Sequence, residues 1–145
     1  LVEFAEDTLF GLIGRIPGEQ PGALDQCHKL LCIYLEFCEK NPGITRLLTG
    51  RAMTGESLQL HQQVEQLYQR LETQLKQYLR DAEMREQLRA RLPVATAANL
   101  LMATAEGRVS QFCRSDFRRS PMEGWIDQWA QLTDGFMKPT FTGSP

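Results

Sequence analysis

Apolar residues recur along this chain at spacings of three and four, and no stretch alternates as a half-buried strand would. The first such pattern runs from Leu1 to about Ile16, with Phe4, Leu9, Leu12, Ile13 and Ile16 set against Glu3, Glu6 and Asp7. Pro17-Gly18 and Pro21-Gly22 punctuate a turn after it. A second helix is predicted from about Ala23 to Lys40, with Asp25 near its start and Lys40 at its end, as the helix dipole favours. Between Leu30 and Cys38 only Glu36 is charged, so this helix should be central and packed on several sides. Asn41-Pro42-Gly43 ends it, and a short apolar piece (Ile44, Leu47, Leu48) follows, broken by Gly50. The longest helix is expected from about Gly55 to Met84, and as far as Arg91 at most. Its apolar positions Leu60, Val64, Leu67, Leu71, Leu75, Tyr78 and Ala82 form one stripe, opposite a solvated face of Gln62, Gln63, Gln66, Gln69, Arg70 and Gln77.

The last two helices differ in kind. After Leu92-Pro93, the segment from Val94 to about Arg114 is thin, with Ala95, Ala97, Ala98, Ala103, Ala105 and Gly107, and its larger apolar residues spread around the axis. Ser120-Pro121-Met122-Glu123 has the form of a capping box opening a final helix. That helix carries two adjacent stripes, Trp125, Trp129, Leu132, Phe136 and Ile126, Ala130, Thr133, Met137. Two-faced helices need two partners, which predicts a homodimer held by Leu101, Ala105, Val109, Phe112, Trp125, Trp129, Leu132 and Phe136. The expected fold is all-α, about six helices in one domain over residues 1–138, with a frayed tail from Pro139 to Pro145.

Composition narrows the function. The chain has 145 residues, 42% of them hydrophobic and 23% charged, which suits a single packed domain. A net charge of −2 weighs against this segment being a nucleic-acid binder by itself. No apolar run approaches the ~20 residues of a membrane span, so no membrane partner is expected. Leu1 opens inside an apolar-periodic pattern, which reads as a cut edge rather than a natural start. Three of the four cysteines, Cys27, Cys32 and Cys38, lie in or beside the most apolar helix, which points to reduced, packed thiols and a cytoplasmic protein.

Chemistry is sparse. No phosphate-binding glycine loop, nucleophile elbow or zinc-protease motif occurs, so neither an enzyme nor a cofactor is expected. His28 and Cys32 are one turn apart but have no further metal ligands beside them. Glu36 reads as a wet-edge residue, a partner for Arg15, or the polar anchor of a ligand pocket with Cys32 and Met102. Arg114, Arg118 and Arg119 cluster around Phe117; such a cluster could touch phosphate, but beside a net acidic chain it reads first as a solvated or salt-bridged surface.

Particular strings carry a resemblance. Leu1-Val2-Glu3-Phe4-Ala5-Glu6-Asp7, then Glu39-Lys40-Asn41-Pro42-Gly43-Ile44-Thr45-Arg46-Leu47-Leu48-Thr49-Gly50, and later Glu106 to Phe117, resemble the C-terminal domain of TetR-family regulators, nearest its SlmA-like nucleoid-occlusion members. The resemblance implies an all-helical homodimer with a four-helix interface, and DNA binding through an N-terminal helix-turn-helix domain absent from this sequence. It further implies a groove for the C-terminal tail of the tubulin-like division protein FtsZ. Phe4 and Asn41 match the pattern of that groove, Lys40 stands where the pattern has Arg, and Glu36 where it has a small residue. Two other expectations stay open: a ligand-sensing repressor with a pocket at Cys32, Glu36 and Met102, and a helical bundle serving only as an interaction module.

Overall fold

A computed structural model describes residues 1–50 and 58–140. Among these residues, seven helices and two short strands run in the order α1 (Val2–Ile13), α2 (Ile16–Glu19), α3 (Ala23–Lys40), α4 (Pro42–Leu48), α5 (Leu58–Arg85), β1 (Leu88–Ala90), α6 (Val94–Arg114), α7 (Trp125–Thr133) and β2 (Met137–Pro139). The architecture is the expected all-α one. The predicted start of the long helix at Gly55 and most of the predicted frayed tail lie outside the described residues.

α3 is the axis of the domain. It buries Cys27, Leu30, Leu31, Ile33, Tyr34, Leu35, Phe37 and Cys38, and it packs on α1, α2, α4, α5 and α6. A helix apolar around most of its circumference has to be surrounded in this way. α5 instead buries one stripe, Val64, Leu67, Leu71, Leu75, Tyr78, Leu79 and Ala82, and leaves its glutamine face to solvent. All four cysteines are free. Burial pushes the Cys27 and Cys38 thiols up to about 12, so both behave as packing groups rather than nucleophiles.

The ends of elements depart from the pattern in three places. The first helix stops at Ile13, and Pro17 opens a separate short turn of helix, because proline's fixed φ favours the first helical turn. The long helix ends at Arg85, within a residue of the expected Met84; Gln87 then adopts φ 52°, and the chain extends as β1. β1 pairs antiparallel with β2, Leu88 opposite Pro139 and Ala90 opposite Met137, so the expectation of no strand is corrected. This pairing joins segments almost fifty residues apart, and no local periodicity announces it. The final helix is also shorter than expected. It starts at Trp125 behind Gly124 at φ 70° and ends at Thr133, leaving Phe136 and Met137 in the extended return.

Ser120 does not close a capping box. Its hydroxyl donates to the Glu39 carboxylate and accepts the Met122 N–H at 3.1 Å, binding the α6–α7 connection to α3. Arg108 clamps the same connection from beneath, donating from its buried guanidinium to the carbonyls of Pro121 (3.1 Å) and Glu123. This charged side chain in an otherwise apolar stripe was not singled out from the sequence. The signal was available, since position 108 falls in step with Leu101, Ala105 and Phe112.

Candidate partner-binding site

α1 buries Val2, Ala5, Leu9 and Ile13 against α3. A second apolar strip, Leu1, Phe4 and Leu12, shares one flank of the helix and stays open to solvent. Phe4 is 53% exposed although its ring lies 6.2 Å, centroid to centroid, from that of Phe37, which is 6% exposed. The antiparallel packing of α1 on α3 thus brings the start of one helix to the end of the other, where Lys40 and Asn41 stand.

Of the three residues the resemblance singled out, each has a distinct setting. Phe4 is an uncovered aromatic ring beside a buried one. Lys40 is exposed, in the last turn of α3. Asn41 donates from Nδ2 to the Phe37 carbonyl at 2.8 Å, while its own carbonyl accepts from the backbone N–H and the hydroxyl of Thr45, both at 2.9 Å. Asn41 therefore closes α3 and opens α4, and it fixes the geometry of the α3 end. Glu36 is exposed one turn before Lys40. The only ion pair among the described residues is Arg70 with Glu6, at 3.5 Å, so neither Glu36 nor Lys40 is neutralised by a salt bridge. The expectation that Glu36 sits at a wet edge holds, and no pairing with Arg15 forms.

The residues expected to meet a second copy require a correction. Trp125 is fully buried, Trp129 and Phe136 are each 8% exposed, and Leu101, Ala105, Val109 and Phe112 are buried, all within one chain; Leu132 is half-buried. The reason lies in α3. His28 stacks on Trp129 with ring centroids 4.7 Å apart and planes 11° from parallel, and it lies 6.3 Å from Trp125. The indole stripe of α7 is covered by the central helix, so the second face lies elsewhere. On α6 it is Thr96, Leu100, Ala103, Gly107 and Ser110, all exposed, and between this face and Gln128, Gln131 and Leu132 runs a groove of about 490 Å³. On α7 the outward residue is Ile126, 71% exposed.

The proposed ligand pocket does not assemble. Met102 is fully buried, Glu36 is exposed, and Cys32 is half-buried, its thiol raised mainly by burial with the Trp125 N–H opposing that shift. An open cavity of about 700 Å³ lies between α5 and α6 and is lined by Tyr68, Glu65, Glu72 and Glu106 among others. Burial, with the charges of Glu72 and Glu65, pushes the Glu106 carboxyl above its usual range. Tyr68 on its wall shares a 2.9 Å hydroxyl–hydroxyl hydrogen bond with Tyr34, which lines a neighbouring cavity. These partners are far apart in sequence, and no motif signals them. His28 and Cys32 gain no further metal ligand, and among the described residues no group of three His, Cys, Asp or Glu is placed to hold a metal ion. No described helix is long and apolar enough to cross a membrane.

Comparison with known proteins bears on this arrangement. A family described as tetracyclin repressor-like, C-terminal domain, SlmA-like, matches residues 22–137. The nucleoid occlusion factor SlmA of Idiomarina loihiensis is 46% identical over 129 residues, which is 89% of this chain and 66% of that protein. That of Marinomonas sp. is 40% identical over 137 residues, 94% of this chain and 70% of the relative. That of Shewanella pealeana is 43% identical over 129 residues, again 66% of its length. The chain thus spans about two thirds of the length of these curated relatives.

Proposed function

This chain belongs to the SlmA-like family of tetracyclin repressor-like C-terminal domains, and from that premise we propose that it is the dimerising, partner-binding part of a cytoplasmic, nucleoid-bound regulator that restrains cell division. It is a binding module rather than an enzyme, and DNA is held by a separate helix-turn-helix domain. The partner is the C-terminal tail of FtsZ, seated along the flank of α1 against the end of α3. One observation carries this reading. Phe4, with Leu1 and Leu12 on the same flank, is an apolar strip left open, and Lys40, one turn beyond the Phe37 ring on which Phe4 packs, has no salt bridge among the described residues. A peptide with an apolar anchor and an acidic residue fits that combination, because truncating one well-placed aromatic anchor commonly removes most of the affinity. Lys40 supplies charge without the planar fork of an arginine, so it steers the tail and makes no bidentate bond.

Dimerisation is proposed through the exposed small-residue face of α6 and the adjoining edge of α7, not through the tryptophans. Ala103 and Gly107 let a second copy of the same helix approach closely, and Leu100 and Leu132 supply apolar area. The test of the partner reading is a titration of the chain with a labelled FtsZ tail peptide, read by fluorescence anisotropy. Phe4→Ala is expected to weaken binding about tenfold or more, with Lys40→Glu doing the same and Glu36→Gln strengthening it. No binding by the unaltered chain at millimolar peptide rejects the reading.

A further inference from the structure

The arginines at the end of α6 take no part in the peptide site, and the structure gives them a fixed setting. Ser115 Oγ donates to the Phe112 carbonyl at 2.9 Å and accepts the Arg119 N–H at 2.9 Å. Asp116 and Phe117 both adopt left-handed backbone, φ 54° and 63°, and the Phe117 N–H returns to the Phe112 carbonyl at 2.8 Å. The two phenylalanine rings then meet edge to face at 5.1 Å. The turn is locked from both backbone and side chain, and Arg114, Arg118 and Arg119 project from it into solvent. Across a shallow cavity of about 320 Å³, lined by Cys113, Asp116 and Phe117, α4 contributes a fourth exposed guanidinium, Arg46.

Among the described residues none of these four arginines has a salt bridge, and Asp116 is the only acid between residues 112 and 119. Arg119 also lies close enough to depress the proton affinity of Arg108, though burial is the larger cause. The patch occupies the same end of the domain as Leu1, since Phe4 packs on Phe37 at the end of α3 and Thr49 of the α4 end contacts Cys113 at 3.7 Å. No large side chain on this turn is among the exposed apolar residues. An exposed apolar residue would add to the hold of a basic cluster on an anionic lipid surface or an acidic peptide, and none stands on this turn. Repeated, unpaired guanidinium groups without one suit a partner of repeating charge.

We infer that Arg46, Arg114, Arg118 and Arg119 form a sequence-independent contact for the phosphate backbone of duplex DNA, additional to the separate DNA-binding domain. The contact goes beyond the peptide reading and does not depend on it. The overall charge of −2 does not oppose it, because DNA meets one end of the molecule and not its average.

The experiment titrates the 145-residue chain onto two fluorescein-labelled duplexes of unrelated sequence at several salt concentrations. Both duplexes should bind equally, with log affinity against log salt having a slope of about −3 to −4, as four phosphate contacts require. Replacing all four arginines by Gln should weaken binding about tenfold or more and flatten that slope. The same change at Arg80, Arg85 and Arg89, exposed near the opposite end, should leave it unaltered. Circular dichroism melts of both variants should match the parent, because these side chains are exposed. The inference is overturned by an absence of DNA binding at low salt, by equal losses in the two variants, or by phosphatidylglycerol vesicles displacing the duplex.

Discussion

Two aromatic regions of this domain have opposite fates. The α7 segment concentrates Trp125, Trp129 and Phe136, and all three are enclosed by their own chain. The start of α1 carries a single Phe4 next to charged residues, and that ring is the one left in solvent. Apolar weight on a helix therefore does not identify an interface. What decides is whether another element of the same chain reaches the stripe. α3 reaches α7 through the His28–Trp129 stack, whereas Phe4, tilted against Phe37, remains 53% exposed.

The contrast can be broken most severely at Trp125. Trp125→Ala empties a fully buried site and should cost about 3–5 kcal/mol, read by chemical denaturation. A loss that depended strongly on protein concentration would show instead that a second copy covers this residue. Next in size is the exposed face of α6. Ala103→Glu should raise the dimer dissociation constant by about a hundredfold by placing an unpaired charge in the contact, measured by sedimentation. Its far-ultraviolet spectrum should be unchanged, and a fully dimeric variant would move the interface elsewhere.

A smaller effect is expected from pH. Burial holds His28 below the ordinary histidine value of 6.5, with Asp25 opposing that shift. The folded state therefore favours the neutral ring. The stability this contributes is complete above pH 6.5 and declines as pH falls through the lowered folded value. Tryptophan fluorescence should report loosening of α7 in that acidic range, and His28→Phe should abolish the dependence. The smallest change belongs to Phe4→Ala, which should alter stability by less than about 1 kcal/mol because the ring is already half in water. A larger loss would place Phe4 in the core and remove the basis of the peptide site.

Much of the candidate site was legible because it depends on local order. The Lys40-Asn41-Pro42 string stops one helix and starts the next through bonds within four residues, from Asn41 to Phe37 and from Thr45 to Asn41. What was not legible depends on partners distant in sequence. The Tyr34–Tyr68 bond, the Arg108 clamp on the Glu123 carbonyl and the Ser120–Glu39 contact join residues that no spacing rule connects.

The order of apolar and polar residues by itself determined that this protein is helical, that α3 is central and that α5 packs on one side. Periodicity of 3.6 residues and helix-stopping residues act within a few positions of each other, so the chain carries them wherever it is folded. The tertiary structure alone decided which of several apolar faces stays open. It closed the tryptophans, left Phe4 and the alanine face of α6 exposed, and paired β1 with β2. Burial is a property of what lies across the gap, and a one-dimensional pattern does not contain its own neighbour.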